Sequence, residues 1–297
     1  MINEPDPQVG TLLEAIQAKE AQESVSSEKM RYVFESEKER RRLEVQAALF
    51  EPFTTRFLAS AGLSNGMSIL DVGTGVGDVA FLAADMVGTT GRVLGIDCED
   101  GMISRAQQRA QAKQVANIQF QSGSLLQDDH LGKFDFVIGR LVTAFQPDQV
   151  DFLRRVVSRA KVGGSIALME AGWNLCGVWT NPAIPMYDEL IHRSVSLIET
   201  LGFDPQLGSR LTELFALAGL GKPSVTAEHL VGGPDSSLLD YSLLNLENIF
   251  STAREKGLEA PDEAALKVTC AEIRKVATAS HVQFSGPCVV GAFIKID

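Results

Sequence analysis

The stretch Asp71-Val72-Gly73-Thr74-Gly75-Val76-Gly77-Asp78 constrains this chain more than any other. It follows the short apolar run Met67-Ser68-Ile69-Leu70 and precedes the helix-forming segment Val79-Ala80-Phe81-Leu82-Ala83-Ala84. A strand, a glycine-rich turn and the opening of a helix, in that order, form a ligand-facing unit of an α/β sheet. Glycine has no Cβ, so the backbone turns sharply there and approaches a ligand closely. The N–H groups of the helix opening attract negative charge, while Asp71 at the strand end attracts positive charge. A turn built this way suits a ligand that carries both signs.

The glycine spacing narrows the ligand further. Dinucleotide-binding turns run G-x-G-x-x-G. Here the third glycine comes one residue early, as Gly73-x-Gly75-x-Gly77, with Asp71 just before the first. An acid at that place does nothing for a pyrophosphate, whereas it favours a sulfonium ligand bearing an ammonium group. The early third glycine likewise disfavours a nicotinamide oxidoreductase.

Downstream, apolar runs and helical patterns alternate. Strands are expected at 68–72, 92–97, 118–121, 134–139 and 165–170. Helices are expected at 78–87, 101–113 and 149–160, with Gly163-Gly164 as a turn. That alternation implies a parallel sheet covered by helices on both faces. Upstream, a helical pattern runs from about residue 32 to 61, with Pro52 expected to begin a second helix. Beyond Gly172 the pattern changes. Helices are expected at 183–201, 209–218, 238–256 and 263–279, and strands at 224–230 and 288–296. The last two are expected to pair as an antiparallel edge hairpin, with the inserted helices forming a cap over the carboxyl ends of the sheet. Ligands of open α/β sheets bind at those ends. The division expected is an amino-terminal helical segment or lid over 1–62, a core over 63–172, and cap insertions plus final strands over 173–297.

Composition excludes several function classes. The 297 residues are 45% hydrophobic and 22% charged, as in a globular protein. The net charge is −11, which is unfavourable for a nucleic-acid binder that must displace counterions with Lys and Arg. The single basic cluster, Lys38 to Arg42, is interleaved with glutamates and reads as a solvated helix face. No apolar run is long enough for a membrane span, and the acidic amino terminus lacks a signal-peptide pattern, so a cytoplasmic protein is expected. Cys98, Cys176, Cys270 and Cys288 are far apart in sequence, with no C-x-x-C pair. They are expected to stay reduced, with no metal site.

Asp97 ends the second strand, where an acid can accept hydrogen bonds from both hydroxyls of a ribose. With that residue in place the chain resembles a class I S-adenosylmethionine-dependent methyltransferase. The matching stretches are Ile69 through Gly77, Val93 through Asp97, Phe134 through Ile138, and Leu153 through Ile166. In its flanks the chain is most similar in style to bacterial small-molecule methyltransferases of the ubiquinone/menaquinone-biosynthesis type. Tyr32, followed by the charged helix at 37–43, resembles the amino-terminal helix of that group. The resemblance implies a Rossmann-like, doubly wound, seven-stranded, mostly parallel sheet with helices on both faces and a helical cap. It implies S-adenosylmethionine as cofactor and S-adenosylhomocysteine as product. It places Asp71 near the ammonium end, Gly73, Gly75 and Gly77 beneath the cofactor, and Asp97 on the ribose. Cys98 and Met102 fall against the adenine. Ser124 stands where many relatives carry an acid, and the Leu125 N–H can serve a ring nitrogen. Arg140 faces the cofactor carboxylate or the acceptor, and Tyr32 joins the cofactor contacts.

For methyl transfer the protein supplies orientation, a dry cavity and, for a hydroxyl or carbon acid, a general base. Arg140, Glu170 and His192 are the candidate catalytic residues. Trp173 and Tyr187 are the candidate substrate-wall residues. An apolar cap with few basic residues suggests a neutral, fairly hydrophobic small-molecule acceptor, methylated at oxygen, by a monomer or homodimer. A cyclase or pericyclase that binds the same cofactor without spending it is the alternative, as is methylation at carbon or nitrogen. Fold alone does not separate these readings.

Overall fold

The computed structural model describes residues 37–125, 130–173 and 175–297. Its elements, in chain order, are α1 (Glu37–Ser60), β1 (Ser68–Val72), α2 (Asp78–Val87), β2 (Arg92–Asp97), α3 (Asp100–Lys113), β3 (Ile118–Ser122) and β4 (Phe134–Arg140). A 3-10 turn (Thr143–Phe145) leads to α4 (Gln149–Ser158), β5 (Ala160–Gly172) and a two-residue β6 (Thr180–Asn181). Then follow α5 (Pro185–Thr200), α6 (Leu207–Leu217), β7 (Ser224–Gly232), α7 (Ser237–Glu255), α8 (Glu263–Ala279) and β8 (Gln283–Lys295).

The strands form one sheet in the order β3-β2-β1-β4-β5-β8-β6, with β7 on the free side of β8. Strands β1 to β5 are parallel, and β8 runs antiparallel between β5 and β7. β1 is buried along its whole length, as a central strand covered on both faces requires. Its side chains alternate between two cores. Ile69 packs with Phe136 and Ile138 in one, and Leu70 and Val72 pack with Val137 and Leu168 in the other, following the two-residue period of a strand. Helices α1, α2, α3, α5, α7 and α8 contribute to the first core, and α4 and α6 to the second. The strand order reverses beside β1, since β2 lies on one side and β4 on the other. Such a switch point leaves a crevice at the carboxyl ends of the strands, and the glycine turn sits there.

Three sequence expectations change. α1 runs unbroken through Pro52 instead of restarting there. The apolar stripe of Phe50, Phe53 and Phe57 is buried as one surface, Phe53 stacks on Phe57 at 5.8 Å and Phe57 meets the edge of Phe293 at 5.9 Å. That packing outweighs the one backbone donor that proline lacks. Gly163 and Gly164 lie inside β5 at an irregularity in its pairing with β4, because Gly163 N–H and Ile296 N–H bond across to Ile296 and Gly164 carbonyls, each at 2.7 Å. β7 and β8 pair antiparallel with α7 and α8 inserted between them, as expected. β6 adds an eighth strand to the seven expected. No described helix is long and apolar enough to cross a membrane.

Candidate active site

The carboxyl ends of β1, β2, β4 and β5 open into a cavity of about 280 Å³. Its floor is the glycine turn, and its far walls come from α1, α5, α7 and the segment between α5 and α6. The inserted helices therefore cap the sheet.

Asp71 is 1% exposed at the end of β1 and accepts the Thr74 hydroxyl at 2.7 Å. Burial raises its carboxyl to about 7, while the Thr74 hydrogen bond and the nearby Arg140 charge act in the opposite direction. Asp97 accepts the Gly75 N–H at 2.8 Å through Oδ2 and the Glu99 N–H at 3.0 Å through Oδ1. Burial raises this carboxyl too, against the pull of those backbone donors. The two acids thus flank a turn whose middle glycine one of them holds.

The three glycines have different surroundings. Gly75 has φ +55° and open space where a Cβ would stand, facing the cavity. Gly77 has φ +89° and is buried, and a Cβ there would lie 2.6 Å from Phe120 Cζ. It does not border the cavity; it allows α2 to pack closely on β3. Gly73 borders the cavity, but its missing Cβ accommodates Val142. The expected three-glycine floor is therefore corrected to Gly73 and Gly75.

Arg140, at the end of β4, borders the cavity and donates to Thr54 Oγ1 at 3.2 Å. Burial pulls its guanidinium down while Asp78 and Asp71 push it up. Glu170, 1% exposed at the end of β5, borders the cavity as well. Burial raises it to about 7. Its Oε1 accepts the Thr143 N–H at 2.9 Å, which ties β5 to the turn that carries Ala144 and Phe145 into the wall.

Met102 and Trp173 also line the cavity, and the Trp173 N–H donates to the Pro205 carbonyl at 3.0 Å. Other expected residues lie elsewhere. Cys98 is exposed and does not border the cavity. Ser124 is half-buried and Leu125 packs in the second core, so neither lines the wall. Tyr187 is fully buried, with its ring 5.3 Å from Phe284, and is a core residue instead of a substrate wall. His192 is exposed, with Nδ1 against the Asp188 carbonyl at 2.7 Å. It lies nearer the start of α5, whereas Ile198 at the far end of that helix, with Leu201 just beyond it, reaches the cavity. His130, His229 and His281 do not line it either. Tyr32 lies outside the described residues.

Sequence reading missed most of the cap wall. Phe145 and Phe203 meet edge to face at 5.1 Å, beside Leu201 and Ile249. It also misplaced Arg42. That residue is buried in the cavity wall, bonded to both oxygens of Glu39 at 2.5 and 2.7 Å, to Gln46 at 2.8 Å and to Asn245 at 3.3 Å. The solvated-face reading holds for Arg40 and Glu44, an exposed pair at 3.2 Å. Arg42 gave no sequence signal of burial, because α7, its partner, lies some 200 residues away in sequence (203 for the Asn245 bond).

This fold and turn define a nucleotide-cofactor domain of the methyltransferase class, and residues 63–199 match the methyltransferase domain family. Over that stretch the chain is similar to S-adenosylmethionine-dependent methyltransferases, which implies S-adenosylmethionine as the cofactor. Among curated relatives, the demethylmenaquinone methyltransferase of Lactococcus lactis is 28% identical over 125 residues, which are 42% of this chain and 46% of the relative. The aklanonic acid methyltransferase DauC of a Streptomyces species is 34% identical over 122 residues, which are 40% of this chain and 54% of the relative. The chain thus spans about half the length of these relatives. Among solved structures, the YcgJ protein of Bacillus subtilis superposes with a TM-score of 0.53 at 18% identity, over 83% of this chain and 99% of that one. The [4+2]-cyclase SpnF superposes with a TM-score of 0.50 at 15% identity, over 83% of this chain and 81% of that one. Both structures share the fold.

Proposed function

We propose that this protein transfers a methyl group from S-adenosylmethionine to the oxygen of a small, neutral, fairly hydrophobic metabolite. The observation that carries this reading is the two-sided cavity. One side holds the glycine turn, Asp71 and Asp97. The other holds Phe145, Trp173, Phe203 and Ile249. The cofactor fits the first side, because Gly75 leaves its Cβ space open beside two carboxylates. When bound, S-adenosylmethionine supplies an electrophilic methyl group on a positively charged sulfur.

The chain's own residues do the rest. Asp71 attracts the ammonium end, Asp97 accepts the ribose hydroxyls, and Met102 packs beside the base. Arg140 holds the cofactor carboxylate. The aromatic wall excludes water and orients the acceptor. Glu170, at the junction of the two sides, takes the acceptor's hydroxyl proton, and a carboxyl raised by burial suits that task near neutral pH. On this reading 63–172 binds the cofactor, 173–297 builds the acceptor side, and 1–62 supplies the closing wall. Of the two cations of the wall, Arg42 is paired with Glu39 and Arg140 is taken by the cofactor carboxylate, which supports a neutral acceptor.

The test is incubation with S-adenosylmethionine and a panel of neutral hydroxylated aromatics and charged acceptors, with mass detection of both products. Methoxy products with matching S-adenosylhomocysteine support the proposal. Methylation of highly charged acceptors alone overturns the acceptor class. Acceptor conversion with the cofactor unspent establishes the cyclase reading instead.

A further inference from the structure

Cys176 and Cys288 lie outside the cavity wall, and the proposed transfer uses neither. They are 112 positions apart, yet their Sγ atoms stand 2.8 Å apart. Cys288 is 3% exposed on β8, opposite Gly172 of β5 and His229 of β7. Cys176 is exposed, in the segment that leaves β5 through Trp173. Both ends of that segment are anchored. Trp173 N–H bonds to the Pro205 carbonyl, and Trp179 exchanges two hydrogen bonds with Ser285 of β8, at 2.8 and 2.9 Å. The anchors present Cys176 to Cys288, and closing to the disulfide bond length of about 2.05 Å asks for a movement of less than about 1 Å.

The geometry points to a reversible disulfide site at Cys176 and Cys288, formed by exchange with a low-molecular-weight disulfide, that clamps the segment following Trp173 onto β8. Cys176, the exposed thiol, loses its proton to solvent and attacks one sulfur of the small disulfide. A mixed disulfide forms on Cys176 and one small thiolate leaves. Cys288 then gives its proton to solvent and attacks the Cys176 sulfur, and the second small thiolate leaves. Two protein thiols are oxidised, and one small disulfide is reduced to two thiols. Burial pushes the Cys288 thiol up to about 12, which makes it the resolving partner and not the first nucleophile. The inference stands independently of the methyl-transfer reading.

The full chain is equilibrated with oxidised and reduced glutathione, acid-quenched, denatured, alkylated with N-ethylmaleimide, digested and weighed. The expected result is a dithiothreitol-sensitive link between the peptides holding Cys176 and Cys288, with Cys98 and Cys270 alkylated. Cys98→Ala keeps the link, and Cys288→Ser replaces it with a glutathione adduct on Cys176. Hydrogen exchange of the amides in 175–181 slows several-fold on oxidation. A wild-type protein carrying only the Cys176 adduct, or alkylated at both cysteines while Cys98 is oxidised, overturns the site. Unchanged exchange with the link formed overturns the clamp.

Discussion

Asp97 accepts the Gly75 backbone N–H at 2.8 Å, so the acid that ends β2 holds the middle glycine of the turn after β1. One carboxylate therefore shapes the turn and borders the cavity. Asp97→Ala is expected to remove the charge-assisted hydrogen bond proposed to the ribose, worth about 1.5–3 kcal/mol. That is about a 10- to 100-fold rise in the Kd of S-adenosylmethionine. Calorimetric titration of the variant reads this directly, and an unchanged Kd rejects the role of Asp97.

Gly75 and Gly77 separate ligand space from packing. Gly77→Ala drives a Cβ to within 2.6 Å of Phe120 and 3.1 Å of Phe81 at positive φ. A loss of about 2–3 kcal/mol in urea unfolding is expected. Gly75→Ala meets no protein atom within 4 Å. It should fold with only the backbone cost, about 1–2 kcal/mol, while cofactor affinity falls. If both variants lose stability equally and bind equally, the distinction fails.

Glu170 makes stability depend on pH. Its carboxyl, ordinarily near 4.5, is raised to about 7 by burial. The folded state therefore binds its proton more tightly than the unfolded state. The resulting stabilisation is complete below about 4.5 and is lost as pH rises through about 7. Asp71, raised to about 7 as well, adds a slope of the same sign. Glu170→Gln keeps an acceptor for the Thr143 N–H and removes its own share, on the order of 2–3 kcal/mol. Urea midpoints of both proteins at pH 5 and pH 8 are the check, and parallel pH curves would reject it.

The buried pair of Glu39 and Arg42 lies within α1 and holds the Arg42 guanidinium where it reaches Asn245 of α7. Glu39→Ala strands the Arg42 guanidinium in the wall, and removing one partner of a buried pair costs about 3–5 kcal/mol. Arg42 keeps Gln46 and Asn245, so the lower end, about 3 kcal/mol, is expected in chemical denaturation. A loss below about 1 kcal/mol, typical of a surface pair, would place Arg42 in solvent.

Phe203 meets Phe145 in the cavity wall proposed to hold the acceptor. Phe203→Ala removes an aromatic pair worth about 0.5–1.5 kcal/mol beyond its buried area. It is expected to raise the acceptor KM about tenfold with the S-adenosylmethionine Kd unchanged. Steady-state kinetics with the best acceptor of the panel, run beside calorimetry, separates the two effects.

The parts of this protein carried by local pattern were legible in the sequence. Asp71 through Gly77 signalled a strand, a turn and a helix because glycine spacing and apolar period are short-range properties. The five parallel strands and their helices followed from the same alternation, and Asp97 from its place at a strand end. Contacts made across the chain were not legible. Whether Arg42 meets water or Asn245 depends on how α7 lies over α1. Which face of α5 reaches the cavity separates Ile198 from His192 and Tyr187. Gly75 and Gly77 look alike in sequence, and only Phe120, brought beneath α2 by β3, makes one a packing residue and leaves the other facing a cavity. The approach of Cys176 to Cys288 likewise exists only because β8 returns beside β5. Local residue types determined the glycine-turn side of the cavity through backbone conformation. The opposite wall was decided by the packing of inserted helices, which burial of apolar surface drives without direction along the sequence.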